Sequence, residues 1–592
     1  MAIFTICFNK SFNFRIGRRV PVLSGPGGKR SLERGWRQIA LLVLMMAVSA
    51  CDSNPLKGLN PLDRLNPFGA GKEEANRGTI GYIQGFLGGV AVDEPRAALI
   101  GRDILSSGGS AADVAVAVSF ALSVTKPSSA SLGGGGICVV HDVQKNVTET
   151  LDFLPRAPSG FPPSAVQPVA IPGTIRGLAV LHSKYGKLAW TKLVTPAETL
   201  ARFGNQISRA FAYDLNRLSP AAMADPEFRK VFGQEKGGEF VREGDYLKQL
   251  DLSAVIGRLR GRGAGDFYTG LLGRQFVTAV ARAGGAINIK DLRAYKPLWR
   301  PTLKIPYIKN VTIHFPIMPG PSGVLSAQVM GMLIEDNNWE DYAPPERNHL
   351  MAELSGRAYS AQGRWLKSDG STAAPPESLV SKDVVKSLME GFQNDRHTAL
   401  PNAGTGPAQT LDNNVGTSFV AVDNEGSAVV CALTLNNPFG VGRIAQGMGI
   451  ILAALPAPLG RGLDSLGVML GVNNIHNIFY YGAAGTGSIA VPEILASVAM
   501  GAVQPKAGEG LGTAIAAKRV YNGGDPDVTY YEQGLADGNV SALGKLGHRL
   551  APVSGMGLVN AIYCPTGVPN KDGMLCSIQT DPRGFGLASG AE

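Results

Sequence analysis

Charge is what this chain has least of. Only 17% of its residues are Asp, Glu, Lys or Arg, and only 7% are aromatic. The deficit does not signal disorder, because a disordered chain shows the reverse balance, high charge with low hydrophobicity. With 44% hydrophobic residues and a mean hydropathy of +0.05, the chain is a globular core-former. Six cysteines (7, 51, 138, 431, 564 and 576) contain no Cys-x-x-Cys pair. Seven histidines show no His-x-x-x-His or other ligand-like spacing, so no metal site is predicted and each histidine is read as a packing or surface residue. The glycine run Gly133–Gly136 is not followed by Gly-Lys-Ser/Thr, which excludes a phosphate loop. Gly482, Gly485 and Gly487 stand in the wrong order for a dinucleotide fingerprint. No cofactor is therefore expected.

What is abundant is length and backbone punctuation: 592 residues with 76 Gly and 38 Pro. That size predicts two to four units, or one large α/β body with extensions. The net charge of +9 is misleading. Residues 1–50 hold eight basic side chains against Glu33, a local excess of +7, which leaves +2 for everything from Cys51 onward. A body so near neutrality has no phosphate-tracking surface, so a nucleic-acid partner is not expected.

The basic residues belong to a targeting segment. Arg30, Arg34 and Arg37 precede the uncharged run Ile39–Ala50, twelve residues long, where a membrane-crossing helix needs roughly 20. A basic stretch, a short apolar run and small residues before a cut site describe a secretory signal peptide over 1–50. Its end, Val48-Ser49-Ala50-Cys51, is similar to the lipobox of bacterial lipoproteins. That resemblance implies cleavage before Cys51, lipidation of Cys51 and a membrane partner through several acyl chains. The expected location is the cell envelope, facing the periplasm, with Asp52 favouring the inner membrane. Residues 51–78 then repeat Asn-Pro every six residues (Asn54-Pro55, Asn60-Pro61, Asn66-Pro67), which forbids a long helix and predicts a stand-off tether. In such an oxidising compartment Cys564 and Cys576 are candidates to pair.

From residue 79 the pattern is α/β. Ser110-Ala111-Ala112-Asp113 predicts a capping box opening a buried Ala/Val-rich helix. Residues 190–298 are expected to be mostly helical. Strands are expected at 417–435, turned by Asn424-Glu425-Gly426, and at 475–481.

Several stretches resemble one family, in its order along the chain. They are VAVDEPRAA…GGSAADVAVAVSFALSVTKPSSASLGGGG (90–136), AIPGT…YGKLAW (170–190), AGGAINIKDLRAY (283–295), HLMAELSGRAYS (349–360), FVAVDNEGSAVVCALTLNNPFG (419–440) and DPRGFGLASG (581–590). Together they are similar to the γ-glutamyltransferase family. The resemblance implies the α+β N-terminal-nucleophile hydrolase fold, a four-layer αββα sandwich. It implies a precursor that cuts itself into a large region (79–416 here) and a small region (417–592 here). It also implies transfer or hydrolysis of γ-glutamyl amides such as glutathione, without metal or cofactor. A threonine released by the cut would use its own amine as the base that activates its hydroxyl.

Carried over residue by residue, the resemblance is uneven. The family's nucleophile stands seven places before an aspartate that matches Asp423, and that place here is Gly416. Thr417 is the only candidate nucleophile, one step out of register, and a one-residue shift turns a strand residue to the other face. A bulge would restore it. The arginine expected to hold a donor carboxylate is matched by Leu154, with Arg156 two residues on. The aspartate expected to hold the amine is matched by Pro458. Of a serine pair only Ser465 remains, beside Asp464. The oxyanion glycine pair becomes Gly485-Thr486, and Thr434 and Asn436 match site-lining positions. Three readings follow. The first is an envelope γ-glutamyltransferase with a rearranged site carried by Thr417. The second is a catalytically silent binding or assembly lipoprotein. The third is an amidase with an altered acyl substrate.

Overall fold

The computed structural model describes residues 79–591, apart from 84–86, 161–167, 235–238, 401–410, 412–414, 457–461 and 571–574. The signal peptide, Cys51, the tether and Pro458 lie outside the described residues. The unit that carries the fold runs Ala75–Glu592.

Fourteen strands build two antiparallel sheets. They are β1 (Thr79–Ile83), β2 (Gly88–Val92), β3 (Gly135–Asp142), β4 (Val147–Asp152), β5 (Leu298–Arg300), β6 (Thr302–Pro306), β7 (Thr312–Pro316), β8 (Thr417–Asp423), β9 (Ala428–Thr434), β10 (Gly467–Asn473), β11 (Ile478–Thr486), β12 (Leu558–Val568), β13 (Cys576–Gln579) and β14 (Leu587–Ala591). The first sheet has the order β14-β2-β8-β9-β3-β4-β5, and the second β1-β13-β12-β11-β10-β7-β6. Both central pairs come from the C-terminal region, and strands from both regions complete each sheet.

Alternation along the strands explains the layering. In β8, Val420 and Val422 enter a core shared with Val468, Leu470 and Ile562 of the second sheet, while Phe419 and Ala421 pack with helices α1 (Pro95–Ser106) and α2 (Ala111–Thr125). On the far side, Met469, Tyr481 and Ala561 pack with α3 (Ser322–Asp336), α4 (Pro344–Gln362) and α5 (Val491–Val503). Helix, sheet, sheet, helix: the chain has the four-layer N-terminal-nucleophile hydrolase fold.

Local chemistry places the pieces. Helix α2 begins with the expected capping box, Ser110 Oγ accepting from Asp113 N at 3.2 Å and Asp113 Oδ2 from Ser110 N at 3.0 Å. Every residue of α2 is buried, as a helix that is apolar on most faces requires. The β8–β9 hairpin turns at Gly426 with φ +95°, and a Cβ there would fall 2.3 Å from the Val568 carbonyl oxygen, so only glycine fits. Asp423 ties that hairpin to α2, accepting from Glu425 N (3.1 Å), Ser427 N (3.0 Å) and Ala111 N (3.0 Å).

One expectation changes in detail. The strand placed at 475–481 runs 478–486 instead, because Asn473 Oδ1 accepts from the amides of Ile475 and His476 and holds them in a turn. Gly482 and Gly485 lie inside that strand. Cys564 and Cys576 do pair, and so do Cys138 and Cys431, which the register of β3 against β9 places opposite each other. Among the described residues no helix is long and apolar enough to cross a membrane.

Candidate active site

Strand β8 opens at Thr417, immediately after Gly416, whose φ is +91°. Its ladder to β9 steps one for one from Thr417↔Leu433 to Val422↔Ala428, and its ladder to β2 from Phe419↔Val92 to Asp423↔Gly88. Neither ladder shifts, so no bulge returns Thr417 to the nucleophile's register. Thr417 keeps the parity of Phe419 and Ala421, and one further step of the ladder puts Gly416 opposite Thr434. Gly416, not Thr417, lines a cavity of about 220 Å³ at this end of the two sheets.

Thr417 has no exposed surface, and its hydroxyl is engaged. It donates to Asp93 Oδ2 at 2.9 Å, and the same oxygen accepts from Ser418 N at 2.7 Å. Asp93 Oδ1 accepts from Asn560 Nδ2 at 2.7 Å, and that amide also reaches Ser418 O at 3.1 Å and Ser418 Oγ at 3.0 Å. Asp93 is thus a clasp between β8 of one sheet and β12 of the other. Asp93 also lines the cavity, with Lys126, Asp214, Arg217, Thr486 and Arg583.

The wall carries both signs of charge. Lys126 is 7% exposed and lies 3.7 Å from Asp214. Burial works to lower its ammonium pKa, but Asp214, Asp93 and Glu94 outweigh burial and hold it above the ordinary lysine value. Arg583 donates to Glu532 Oε1 at 2.7 Å and to Asp581 Oδ1 at 3.2 Å. Arg519 donates to the Met556 and Gly557 carbonyls, both at 2.6 Å, and Asp581 Oδ2 accepts from Val559 N at 3.0 Å. The closing Asp581-Pro582-Arg583 segment therefore fixes the 554–558 loop that rims the cavity.

The other predicted site residues separate into two groups. Thr486 lines the cavity, while Gly485 is packed beneath the Leu558 carbonyl, 3.0 Å from where a Cβ would be. Thr434 Oγ1 accepts from Asn436 N at 2.8 Å, and Asn436, at φ +65°, donates from Nδ2 to Ala454 O at 2.8 Å, so both are tied into the loop after β9. Ser465 is buried, with its Oγ 3.3 Å from Gly462 O. Arg156 does not line the cavity. Its guanidinium lies 3.4 Å from Asp152, donates to Lys296 O at 3.0 Å and sits 5.3 Å from the Tyr295 ring centre. Leu154 is buried between the sheets. The carboxylate clamp is accordingly not rebuilt by Arg156.

Sequence reasoning missed Asp93, Lys126, Asp214 and Arg583. For Asp93 a signal was present, since an acid closing the fully apolar strand Val90–Val92 has to be satisfied where it is buried.

Residues 97–454 match the family model described as Gamma-glutamyltranspeptidase. The "Glutathione hydrolase proenzyme" of Escherichia coli (strain K12) is 30% identical over 411 residues, covering 66% of this chain and 69% of that protein. "Glutathione hydrolase 3" of Arabidopsis thaliana is 26% identical over 541 residues, 82% of each chain. In fold, the chain is similar to the crystal structure of cephalosporin acylase from Bacillus halodurans, with a TM-score of 0.71 at 19% identity, covering 88% of this chain and 98% of that one.

Proposed function

The chain belongs to the gamma-glutamyltranspeptidase family, and on that premise we propose that it is a lipid-anchored envelope member that stays one uncut chain and does not turn over glutathione at family rates. The observation that carries this reading is that Gly416, and not Thr417, lines the cavity, next to a β8–β9 ladder that runs without a shift. At the cavity's edge, where the family chemistry needs a hydroxyl, there is no side chain. One recognition position falls with it: Leu154 is buried where a carboxylate partner is needed, and its candidate replacement, Arg156, is committed to Asp152. Losing a buried charge partner for a zwitterion removes several kcal/mol of recognition. What remains is a polar cavity with both signs of charge, suited to holding a small polar amide or amino-acid-like ligand. Two disulfides support an oxidising compartment, as expected for a periplasm-facing lipoprotein anchored through Cys51.

A second reading has one observation in its favour. Thr417 Oγ1 lies 2.9 Å from a carboxylate, Asp93, which is an acceptor for its proton. An amidase with an altered acyl substrate would need the chain cut before Thr417 and the hydroxyl turned from Asp93 toward the cavity. An immunoblot of the chain with a C-terminal tag separates the two. The proposed function gives one full-length band, and the amidase gives a fragment of 176 residues that Thr417→Ala abolishes.

A further inference from the structure

We propose that His349, Glu353 and His548 form a binding site for one divalent transition-metal ion, with zinc the ion that their donor set fits. His349 and Glu353 stand four apart on α4 and so share one face of that helix. His548 comes from the loop that leads into the Leu550–Val553 strand. One ligand atom from each lies within 4.8 Å of the others. All three are buried, with 2%, 2% and 6% of their surface exposed.

The second layer around these residues is what ligating imidazoles require. His349 Nδ1 and His548 Nε2 point at each other across 2.7 Å, and the far nitrogen of each ring is held: His349 Nε2 by Gln393 O at 2.8 Å and His548 Nδ1 by Thr529 Oγ1 at 2.9 Å. Ligation through both facing nitrogens needs His548 to carry its proton on Nδ1, where the Thr529 hydroxyl accepts it, so no proton has to leave. The Glu353 carboxylate is pinned by His397 Nδ1 at 2.6 Å, and His397 Nε2 is braced by Asp527 at 3.0 Å. Two imidazoles and a carboxylate with an open fourth position are a tetrahedral zinc set. Zinc–nitrogen distances of about 2.0–2.1 Å put two such nitrogens about 3.3 Å apart, so each ring moves by only a few tenths of an ångström. The ion would tie α4 to the small sheet of Val520–Asn522, Thr529–Glu532 and Leu550–Val553. These ligands do not line the cavity at Gly416, so this site is independent of the reading given for that cavity.

The test is calorimetric titration of the chelator-stripped mature chain with zinc chloride, paired with cobalt(II) chloride as a spectroscopic probe. The expected result is one equivalent of zinc, a raised thermal midpoint and the intense visible absorption of tetrahedral cobalt. His548→Gln and Glu353→Gln abolish saturable uptake. Thr529→Val leaves all three ligands in place and weakens binding roughly 10-fold or more, which keeps the test readable if a ligand variant does not fold. No uptake by the parent chain overturns the proposal, and so does one equivalent that His548→Gln and Thr529→Val leave unchanged.

Discussion

The hydroxyl of Thr417 donates to Asp93 Oδ2 at 2.9 Å, and it is Asp93 and the neighbouring Gly416, not Thr417, that line the cavity. In this chain the threonine that resembles a nucleophile serves as half of a clasp between strands β2 and β8, and Asn560 extends that clasp to the second sheet.

A clasp has a thermodynamic signature. Thr417→Val removes one buried hydrogen bond and is expected to lower stability by about 1 kcal/mol. Asp93→Ala also strands Ser418 N and takes one of three acceptors from Asn560 Nδ2, and is expected to cost about 3 kcal/mol or more. Urea unfolding of both single variants and the double variant measures the coupling. Additive losses would contradict a shared clasp.

Restoring a threonine at position 416 does not come free. Gly416 has φ +91°, and a Cβ there would sit 2.9 Å from Leu466 Cδ2 and 3.0 Å from both Leu433 O and Thr486 Cγ2. Gly416→Thr is therefore expected to lose about 1–3 kcal/mol. A denaturation midpoint equal to the parent's would mean that the left-handed turn is not required.

Asp423 gives the fold a pH dependence. Burial pushes its carboxyl up to about 6, although its backbone N–H partners and Lys187 pull the other way. A pKa raised on folding means that the native state binds more protons than the unfolded state between about pH 4 and 6. The stability contribution of this group is present at the acidic end of that window and is lost as pH rises through it. Its size is on the order of 2–3 kcal/mol. Stability curves across the window should flatten in Asp423→Asn, after allowance for that variant's own offset. An unchanged slope would remove Asp423 as its source.

The Cys138–Cys431 bridge joins positions 293 residues apart, across neighbouring strands β3 and β9. Replacing both cysteines with alanine is expected to cost about 2–5 kcal/mol. Loss of less than 1 kcal/mol would show that the two strands are held without it.

Much of the layering was legible from local pattern. The capping box at Ser110, the hairpin at Gly426 and the collinear motifs each rest on residues adjacent in sequence, and each sits in the four-layer sandwich as the resemblance implied. The Cys138–Cys431 pair was not legible, because only the register of two strands brings those sulfurs together. The same holds for His349, Glu353 and His548, whose meeting depends on the packing of α4 against the small sheet. At the site, counting back from Asp423 leads to Gly416, which lines the cavity, and the strand between them runs without a shift. Arg156 could not be placed by strand parity alone, because parity says which face a side chain leaves from and not which partner captures it. Asp152 and the Lys296 carbonyl capture it here.

The central claim is that this member keeps the fold without the threonine chemistry. Denaturing mass spectrometry of the purified mature protein, after prolonged incubation at neutral pH, tests that most directly. The account predicts a single species running unbroken to Glu592, with no chromophore released from a γ-glutamyl anilide by the same sample. A fragment beginning at Thr417 and 176 residues long, accompanied by chromophore release that Thr417→Ala abolishes, would contradict it.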